Sequence, residues 1–278
     1  MAHQKKNHSD LSDVEDMARK IRGRVLDLAH KAKVAHLASA LSSVDILAVL
    51  FWKILKIDPK NPKWEDRDRF ILSKGHAAMA LYSTLAFKGF IPNEMLDTFG
   101  NDGTSLAEHP DMGINGVEAA TGSLGHGLPL GIGMALASRI RKKNYRVFAL
   151  MSDGECNEGS VWEAAMFAPA HQLDNVTAII DFNKWQATGR STEIMALEPL
   201  AAKWKSFGWS TYEIGGNNVK EIFEVLNNIP DGSGKPVAVI AHTTKGKGVS
   251  FMEDDNNWHY KAPNAEELSK AKKELGLL

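Results

Sequence analysis

The sequence predicts an α/β protein in which a parallel β-sheet is flanked by α-helices on both faces. Four short apolar runs alternate with longer stretches of helical periodicity, which is typical of βαβ units. The last three runs are continuously apolar, as expected for strands that are buried on both faces. Because these runs occur from about residue 69 to residue 242, we see no place to divide the chain and expect a single domain over residues 1–278.

Each element is predicted from its hydrophobic period and from the polar or glycine residues at its ends. Strands are expected over residues 69–72, 146–151, 176–182 and 236–242. Helices are expected over residues 10–33, 42–55, 76–88, 123–142, 159–171, 197–207, 219–228 and 265–275. The basic run at 141–143 suits a helix end, where the macrodipole favours positive charge.

Composition and charge exclude several classes of protein. Hydrophobic residues make up 44% and charged residues 24% of the chain, which is typical of globular proteins rather than disordered or fibrous ones. The 33 basic and 34 acidic residues nearly cancel, so no overall field favours nucleic acid or acidic membranes. A single cysteine, Cys156, excludes an intramolecular disulfide and a cysteine-built zinc site. No apolar run approaches the ~18 residues of a membrane span. Acidic residues follow the basic start where a signal peptide needs its apolar stretch, so we expect no signal peptide. We expect a cytoplasmic protein with no nucleic-acid or membrane partner.

Polar segments that mostly contain glycine follow all four predicted strands, at residues 73–76, 152–155, 181–184 and 243–248. In an open parallel sheet, ligands bind at the carboxyl ends of the strands. The four segments are therefore expected to converge on one edge of the sheet and to form a site there.

Two of these segments together indicate a cation site. Asp153 and Gly154 follow one strand, and Asn183 follows the next strand 30 residues later. Glycine lets a backbone N–H approach a phosphate, and carboxylate and amide oxygens suit a hard cation. A lone Asp-Gly pair is more often an ordinary β-turn. An Asp and an Asn that end adjacent parallel strands can instead share one Mg²⁺ and present it to a diphosphate.

This pair resembles the thiamine diphosphate motif, in which a Gly-Asp-Gly turn and a later Asn hold Mg²⁺ and the diphosphate; Ser152 stands here in place of the first glycine. Further motifs extend the resemblance to the transketolase family along nearly the whole chain: His36 with Ser39, and the runs 69–76, 108–110, 121–127, 153–159, 181–189, 244–248 and 258–259. The resemblance implies a thiamine diphosphate-binding fold, with this chain as the diphosphate-binding domain.

The resemblance also implies which residues bind the cofactor and the metal. The side chains of Asp153 and Asn183 and the backbone carbonyl of Trp185 would hold the metal, an all-oxygen set that suits Mg²⁺, with Ca²⁺ or Mn²⁺ as substitutes. The family places further cofactor contacts at Ser39, His76, Gly122, Ser123, Leu124, Gly154, Lys245 and His259.

Three histidines, His36, His109 and His259, resemble those that surround the reactive carbon, bind substrate hydroxyls and shuttle protons. Glu158 resembles the acid that couples two active sites across a dimer. A histidine chosen at random is more often a surface or core residue, and these three and His76 are set apart by their motifs. Imidazoles suit a polyhydroxylated substrate because each can donate or accept near neutral pH.

The family's activating glutamate lies on a pyrimidine-binding domain, and the resemblance does not extend to that domain or to the further C-terminal one. We therefore expect the N-terminal subunit of a two-chain transketolase rather than a truncated chain. Its partner would carry the pyrimidine-binding domain, and a homodimer contact would complete an α2β2 heterotetramer.

Other functions remain open at this point. The chain could be the diphosphate-binding subunit of a 1-deoxyxylulose-5-phosphate synthase-like or 2-oxoacid dehydrogenase-like enzyme, against which the histidine set argues. It could also be a non-catalytic cofactor-binding remnant, against which the intact Asp153, Asn183 and Glu158 argue. Leu37 follows His36 where many transketolases have proline, so the donor and acceptor sugars, phosphorylated or modified, stay open.

Overall fold

The computed structural model describes residues 11–278, and its centre is a five-stranded parallel sheet. The strands are β1 (Arg69–Leu72), β2 (Val147–Ser152), β3 (Val176–Phe182), β4 (Ser210–Gly215) and β5 (Val237–His242). They lie in the order β1-β2-β3-β5-β4, and every neighbouring pair is parallel. The predicted α/β fold class is confirmed.

Helices connect the strands and cover both faces of the sheet. They are α1 (Ser12–Ala32), α2 (Leu37–Ser42), α3 (Val44–Val49), α4 (Ala78–Lys88), α5 (Gly127–Ile140), α6 (Gly159–Ala170), α7 (Ser191–Ile194), α8 (Leu200–Ser206), α9 (Val219–Leu226) and α10 (Ala265–Glu274). A π-helical turn over Leu50–Ile54 continues α3, and 3₁₀ turns lie at Gly75–Ala77, Asn93–Thr98, Gly154–Asn157 and Asn256–His259. Within residues 11–278, no helix combines the length and the apolar character that crossing a membrane requires.

The buried apolar residues form two clusters, one on each face of the sheet. The first contains residues of α1–α4 and α9, and the second contains residues of α5, α6 and α8. Side chains of β2 alternate between them, with Phe148 and Leu150 in the first cluster and Val147, Ala149 and Met151 in the second. Burial on both faces explains why this strand is apolar throughout.

The sequence did not predict β4. Within residues 11–278, this strand lies at the edge of the sheet and pairs only with β5. Of its six residues only Ile214 is buried, and Glu213 is exposed. An edge strand of this kind needs no continuous apolar run, so the pattern that revealed the other strands is missing here.

Several predicted helices begin later than expected. The helix expected over 42–55 is interrupted at Ser43, and the short α2 precedes it. The helix expected over 123–142 begins at Gly127, because Gly125 adopts a left-handed φ of 81° in a tight turn beside Glu158. The first helix begins at Ser12, and the predicted start at Asp10 lies outside the described residues.

Candidate active site

The carboxyl ends of β1, β2 and β3 border a cavity of about 350 Å³, which lies within the usual size range of small-molecule sites. Its walls include every predicted site residue except Ser123 and Lys245: His36, Ser39, His76, His109, Gly122, Leu124, Asp153, Gly154, Glu158, Asn183, Trp185 and His259. Three of the four predicted segments, 73–76, 152–155 and 181–184, contribute to this wall, whereas segment 243–248 contributes no wall residue and reaches the site through the contact of Lys245 with His259. A larger cavity of about 590 Å³ is lined by Lys142, Tyr145 and Asn175, near the amino ends of the strands and away from these residues.

Four histidines surround one end of the cavity. The ring centroid of His36 lies 5.0 Å from that of His259, 5.4 Å from that of His76 and 6.3 Å from that of His109. His36 has a left-handed φ of 70° at the start of α2, and its backbone N–H donates to the carbonyl oxygen of His259 at 2.6 Å. This hydrogen bond joins residues that are far apart in the sequence and fixes their two backbone segments relative to each other.

Burial lowers the pKa of three of these histidines. Burial is the largest cause of the lowered pKa in all three residues. The pKa of His36 is lowered, that of His76 lies well below the usual value, and that of His259 falls to about 3. The nearby ammonium groups of Lys74 and Lys245 act in the same direction. The three rings are therefore neutral at neutral pH and can each donate one hydrogen bond and accept another.

Lys245 lies behind His259 rather than in the cavity wall. Its fully buried Nζ lies 2.9 Å from Nδ1 of His259 and donates to Oδ1 of Asn256 at 2.6 Å. Burial, together with the charge of Lys74, lowers the pKa of Lys245 to about 8. The side chain thus contacts a predicted catalytic residue.

Asp153 is a buried carboxylate, only 1% exposed, at the end of β2. Its Oδ1 accepts the Gly154 N–H at 2.9 Å, and its Oδ2 accepts the Ser191 hydroxyl at 2.6 Å and the Lys184 N–H at 3.1 Å. Within the described part of the chain, no lysine or arginine forms an ion pair with it. Burial raises its pKa to about 6. A bound cation would compensate this buried charge.

Asn183 and Trp185 lie beside Asp153 on the loop after β3. Oδ1 of Asn183 accepts the Trp185 N–H at 3.0 Å, and its amide nitrogen lies 3.4 Å from the hydroxyl of Ser42. The indole of Trp185 donates to Asp254 at 2.7 Å and stacks against Arg190. Residues 11–278 contain no cluster of three or more His, Cys, Asp or Glu that could hold a metal, so a cation here would depend on amide, carbonyl and ligand oxygens as well.

Three predicted site residues have surroundings that bear on their expected roles. The Gly154 N–H, predicted to bind a diphosphate, donates to Asp153 in this structure. Ser123 is exposed and lies next to the cavity residues Gly122 and Leu124. Glu158, predicted to couple two sites, is exposed at the cavity wall just before α6.

Sequence reasoning missed Gln186, which also lines the cavity. Its amide nitrogen is buried and, among the described residues, has no hydrogen-bond partner. Such an atom is costly unless a ligand or a water molecule in the cavity accepts its hydrogen bond. A glutamine in a loop carries no pattern from which this role could have been read.

A buried ion pair behind the cavity was also missed. Lys74 and Asp181 form a salt bridge in which both side chains are fully buried. The ammonium group of Lys74 also donates to the carbonyl oxygen of Ser39 at 2.7 Å, and Asp181 accepts the Ser42 hydroxyl at 2.6 Å. The pair therefore holds α2, with its cavity residue Ser39, against the ends of β1 and β3.

The chain is similar to one known protein family and to several of its members along most of its length. Residues 14–278 match a family model described as "Transketolase, thiamine diphosphate binding domain". The chain is 43% identical over 262 residues to an apulose-4-phosphate transketolase subunit of Phocaeicola vulgatus, a match that covers 94% of this chain and 93% of that protein. It is also 43% identical over 242 residues to the "6-deoxy-6-sulfo-D-fructose transketolase subunit SqwG" of a Clostridium species, covering 87% and 88% of the two chains.

Solved structures show the same relationship. The crystal structure of transketolase from Campylobacter jejuni superimposes with a TM-score of 0.91 at 31% sequence identity. The match covers 96% of this chain but 43% of that one, so the chain spans less than half the length of this structural relative.

Proposed function

Because the chain belongs to the transketolase family, we propose that it is the N-terminal subunit of a two-chain transketolase. Such an enzyme would transfer a two-carbon ketol unit from a ketose to an aldose. Two relatives of nearly the same length are themselves named as transketolase subunits, which supports a division of the enzyme between two chains. The match to a thiamine diphosphate-binding domain supports that cofactor.

The residues at the cavity fit thiamine diphosphate and Mg²⁺. The buried Asp153 lacks a cationic partner among residues 11–278, and the nearby amide nitrogen of Gln186 lacks an acceptor. A cation would compensate the charge of Asp153, and a diphosphate oxygen would accept a hydrogen bond from the amide nitrogen of Gln186. We propose that Asp153, Asn183 and the Trp185 carbonyl hold Mg²⁺, for which Ca²⁺ or Mn²⁺ can substitute.

Further cofactor contacts follow from the cavity wall. Ser39, His76, Gly122 and Leu124 line it, and Ser123 lies at its rim. The Gly154 N–H would exchange its bond to Asp153 for one to the diphosphate.

The histidine cluster is the single observation that carries the proposed reaction. When bound, thiamine diphosphate supplies the nucleophilic carbon that receives the two-carbon unit. His36, His109 and His259 line the same cavity and would bind substrate hydroxyls, and the cluster would hold or move their protons. The neutral rings of His36 and His259 suit this role, because a neutral imidazole offers one donor and one acceptor without a prior change of charge.

The cluster also separates this proposal from the two alternatives. A decarboxylating thiamine enzyme lacks this combination of histidines, and a non-catalytic remnant would not need to keep His36, His76 and His259 within 5.0–6.5 Å of one another.

We propose that a second chain supplies the pyrimidine-binding domain with its activating glutamate, and that two copies of each chain assemble. The exposure of Glu158 at the cavity wall supports a contact across a dyad. Large apolar side chains are exposed on the helices that begin beside the cavity, at Leu130, Ile140, Met166 and Phe167 of α5 and α6. They favour a protein partner against the exposed face of α5 and α6. A cytoplasmic location is proposed from the unpaired, buried thiol of Cys156.

The experiment is to assay ketol transfer by the purified chain, by the candidate partner chain and by their mixture. Thiamine diphosphate and Mg²⁺ are present throughout, and the donors include ketose phosphates and modified ketoses. We expect turnover only from the mixture, and a loss of about 10²–10⁴-fold in kcat/KM when the mixture contains His36→Ala. Robust turnover by the isolated chain would refute the two-chain proposal, and an active His36→Ala mixture would remove His36 from the site.

A further inference from the structure

We propose that Lys245 is a positioning residue that holds His259 in the tautomer protonated on Nε2, so that His259 presents an N–H donor to the cavity. The tautomer is a property of this chain alone. Its use during catalysis rests on the proposed transketolase function.

The contact between the two side chains dictates the tautomer. Nζ of Lys245 lies 2.9 Å from Nδ1 of His259, a normal hydrogen-bond distance. An ammonium group carries three donors and no acceptor. Nδ1 must therefore accept, and in a neutral imidazole the single ring proton then resides on Nε2. A proton on Nδ1 would place two donors against each other in a buried environment.

Neighbouring groups keep this contact in place. Oδ1 of Asn256 accepts a second hydrogen bond from Lys245 at 2.6 Å, and the amide nitrogen of Asn256 donates to the carbonyl of Ala187 at 3.1 Å. The backbone of His259 is fixed separately, since its carbonyl accepts the His36 N–H. The Ser39 hydroxyl lies 3.5 Å from Nδ1, at the limit of a hydrogen bond, so Lys245 is the closer partner.

The remaining ring nitrogen is available to a ligand. His259 lines the cavity, and no residue in the described part of the chain forms a hydrogen bond with its Nε2. In the proposed tautomer Nε2 donates and cannot take up a proton, because the ring's lone pair lies on Nδ1 and is held by Lys245. His259 would therefore donate a hydrogen bond to a substrate oxygen, and proton acceptance would fall to the other histidines of the cluster.

The test is a long-range ¹H–¹⁵N NMR spectrum of the full chain labelled with ¹⁵N-histidine, without cofactor or partner. The His259 signals are assigned by their loss in His259→Gln. In the proposed tautomer, the nitrogen that correlates with both ring carbon protons is the protonated one. We expect this pattern in the wild type and in Lys245→Arg, which retains a donor. In Lys245→Met, both nitrogen shifts should move toward averaged values as the second tautomer becomes populated.

Lys247→Met serves as the matched control, because it removes a nearby lysine that pairs with Glu253 and not with His259. A wild-type spectrum with the proton on Nδ1 would overturn the proposal, and so would a Lys245→Met spectrum identical to that of the wild type. If Lys245→Met fails to fold, the wild-type and Lys245→Arg spectra still test the proposal, because both must show the ring proton of His259 on Nε2. Since neither cofactor nor partner is present, failure here is distinguishable from failure of the proposed function.

Discussion

The buried ion pair between Lys74 and Asp181 allows a quantitative prediction. Replacement in Lys74→Met leaves the Asp181 carboxylate buried, and the Ser42 and Thr243 hydroxyls are its remaining side-chain hydrogen-bond partners among residues 11–278. Removing one partner of a buried pair typically costs about 3–5 kcal/mol, because the remaining charge is neither hydrated nor compensated. Both side chains are fully buried, so solvent screening does not reduce this value. We expect the free energy of unfolding to fall by about that amount.

Urea unfolding followed by circular dichroism measures this loss. The double variant Lys74→Met/Asp181→Asn removes the stranded charge as well, and we expect it to recover much of the stability. Lys53→Met is the matched control, because Lys53 pairs with the exposed Asp13 at 3.0 Å and should contribute less than about 1 kcal/mol. If Lys74→Met costs no more than Lys53→Met, the pair does not hold α2 as we argue.

Two further predictions concern acid stability and the cation. Between pH 6.5 and about 3 the unfolded chain binds a proton at His259 that the folded chain does not, so stability present above pH 6.5 is lost as the pH falls. From pH 6.5 to 5 this amounts to roughly 1–2 kcal/mol, because the unfolded histidine is already half protonated at pH 6.5. Urea unfolding of His259→Gln should show a correspondingly shallower loss, and an equal loss in both proteins would contradict the shift. Asp153→Asn should abolish Mg²⁺-dependent binding of thiamine diphosphate in calorimetric titrations of the two-chain complex. The melting temperature of the isolated chain should not fall. Unchanged affinity for thiamine diphosphate would exclude Asp153 as a metal ligand.

The sequence was most informative where a single physical cause, such as burial on both faces of the sheet, determines the pattern of apolar residues. Strands β2, β3 and β5 are buried on both faces, so their apolar runs identified them to within one residue at each end. Parallel strands place their carboxyl ends at one edge, which is why the sequence alone predicts that Asp153 and Asn183 lie close together. The edge strand β4 and the short α2 have no such dominant cause and were missed.

The contacts that organise the site could not be read from the sequence. Lys74 and Asp181 are separated by 107 residues, and nothing in either segment indicates that their side chains meet. Lys245 was predicted through its motif to contact the cofactor, and the structure adds a contact of its ammonium group with His259 that the motif does not indicate. Side-chain pairing of this kind depends on how helices and loops pack, which local periodicity does not encode.

The strand order also constrains the sequence of events during folding. β4 precedes β5 in the chain and joins the described sheet through β5, so β4 cannot join that sheet until residues 237–242 have been synthesised. β1, β2 and β3 can pair as soon as residue 182 has emerged, because each contacts its neighbour directly. The loop with Lys245 and the turn with His259 come later still. A nascent chain therefore acquires the Asp153 and Asn183 side of the cavity first and the His259 side last, and binding that needs both must wait for synthesis past residue 259.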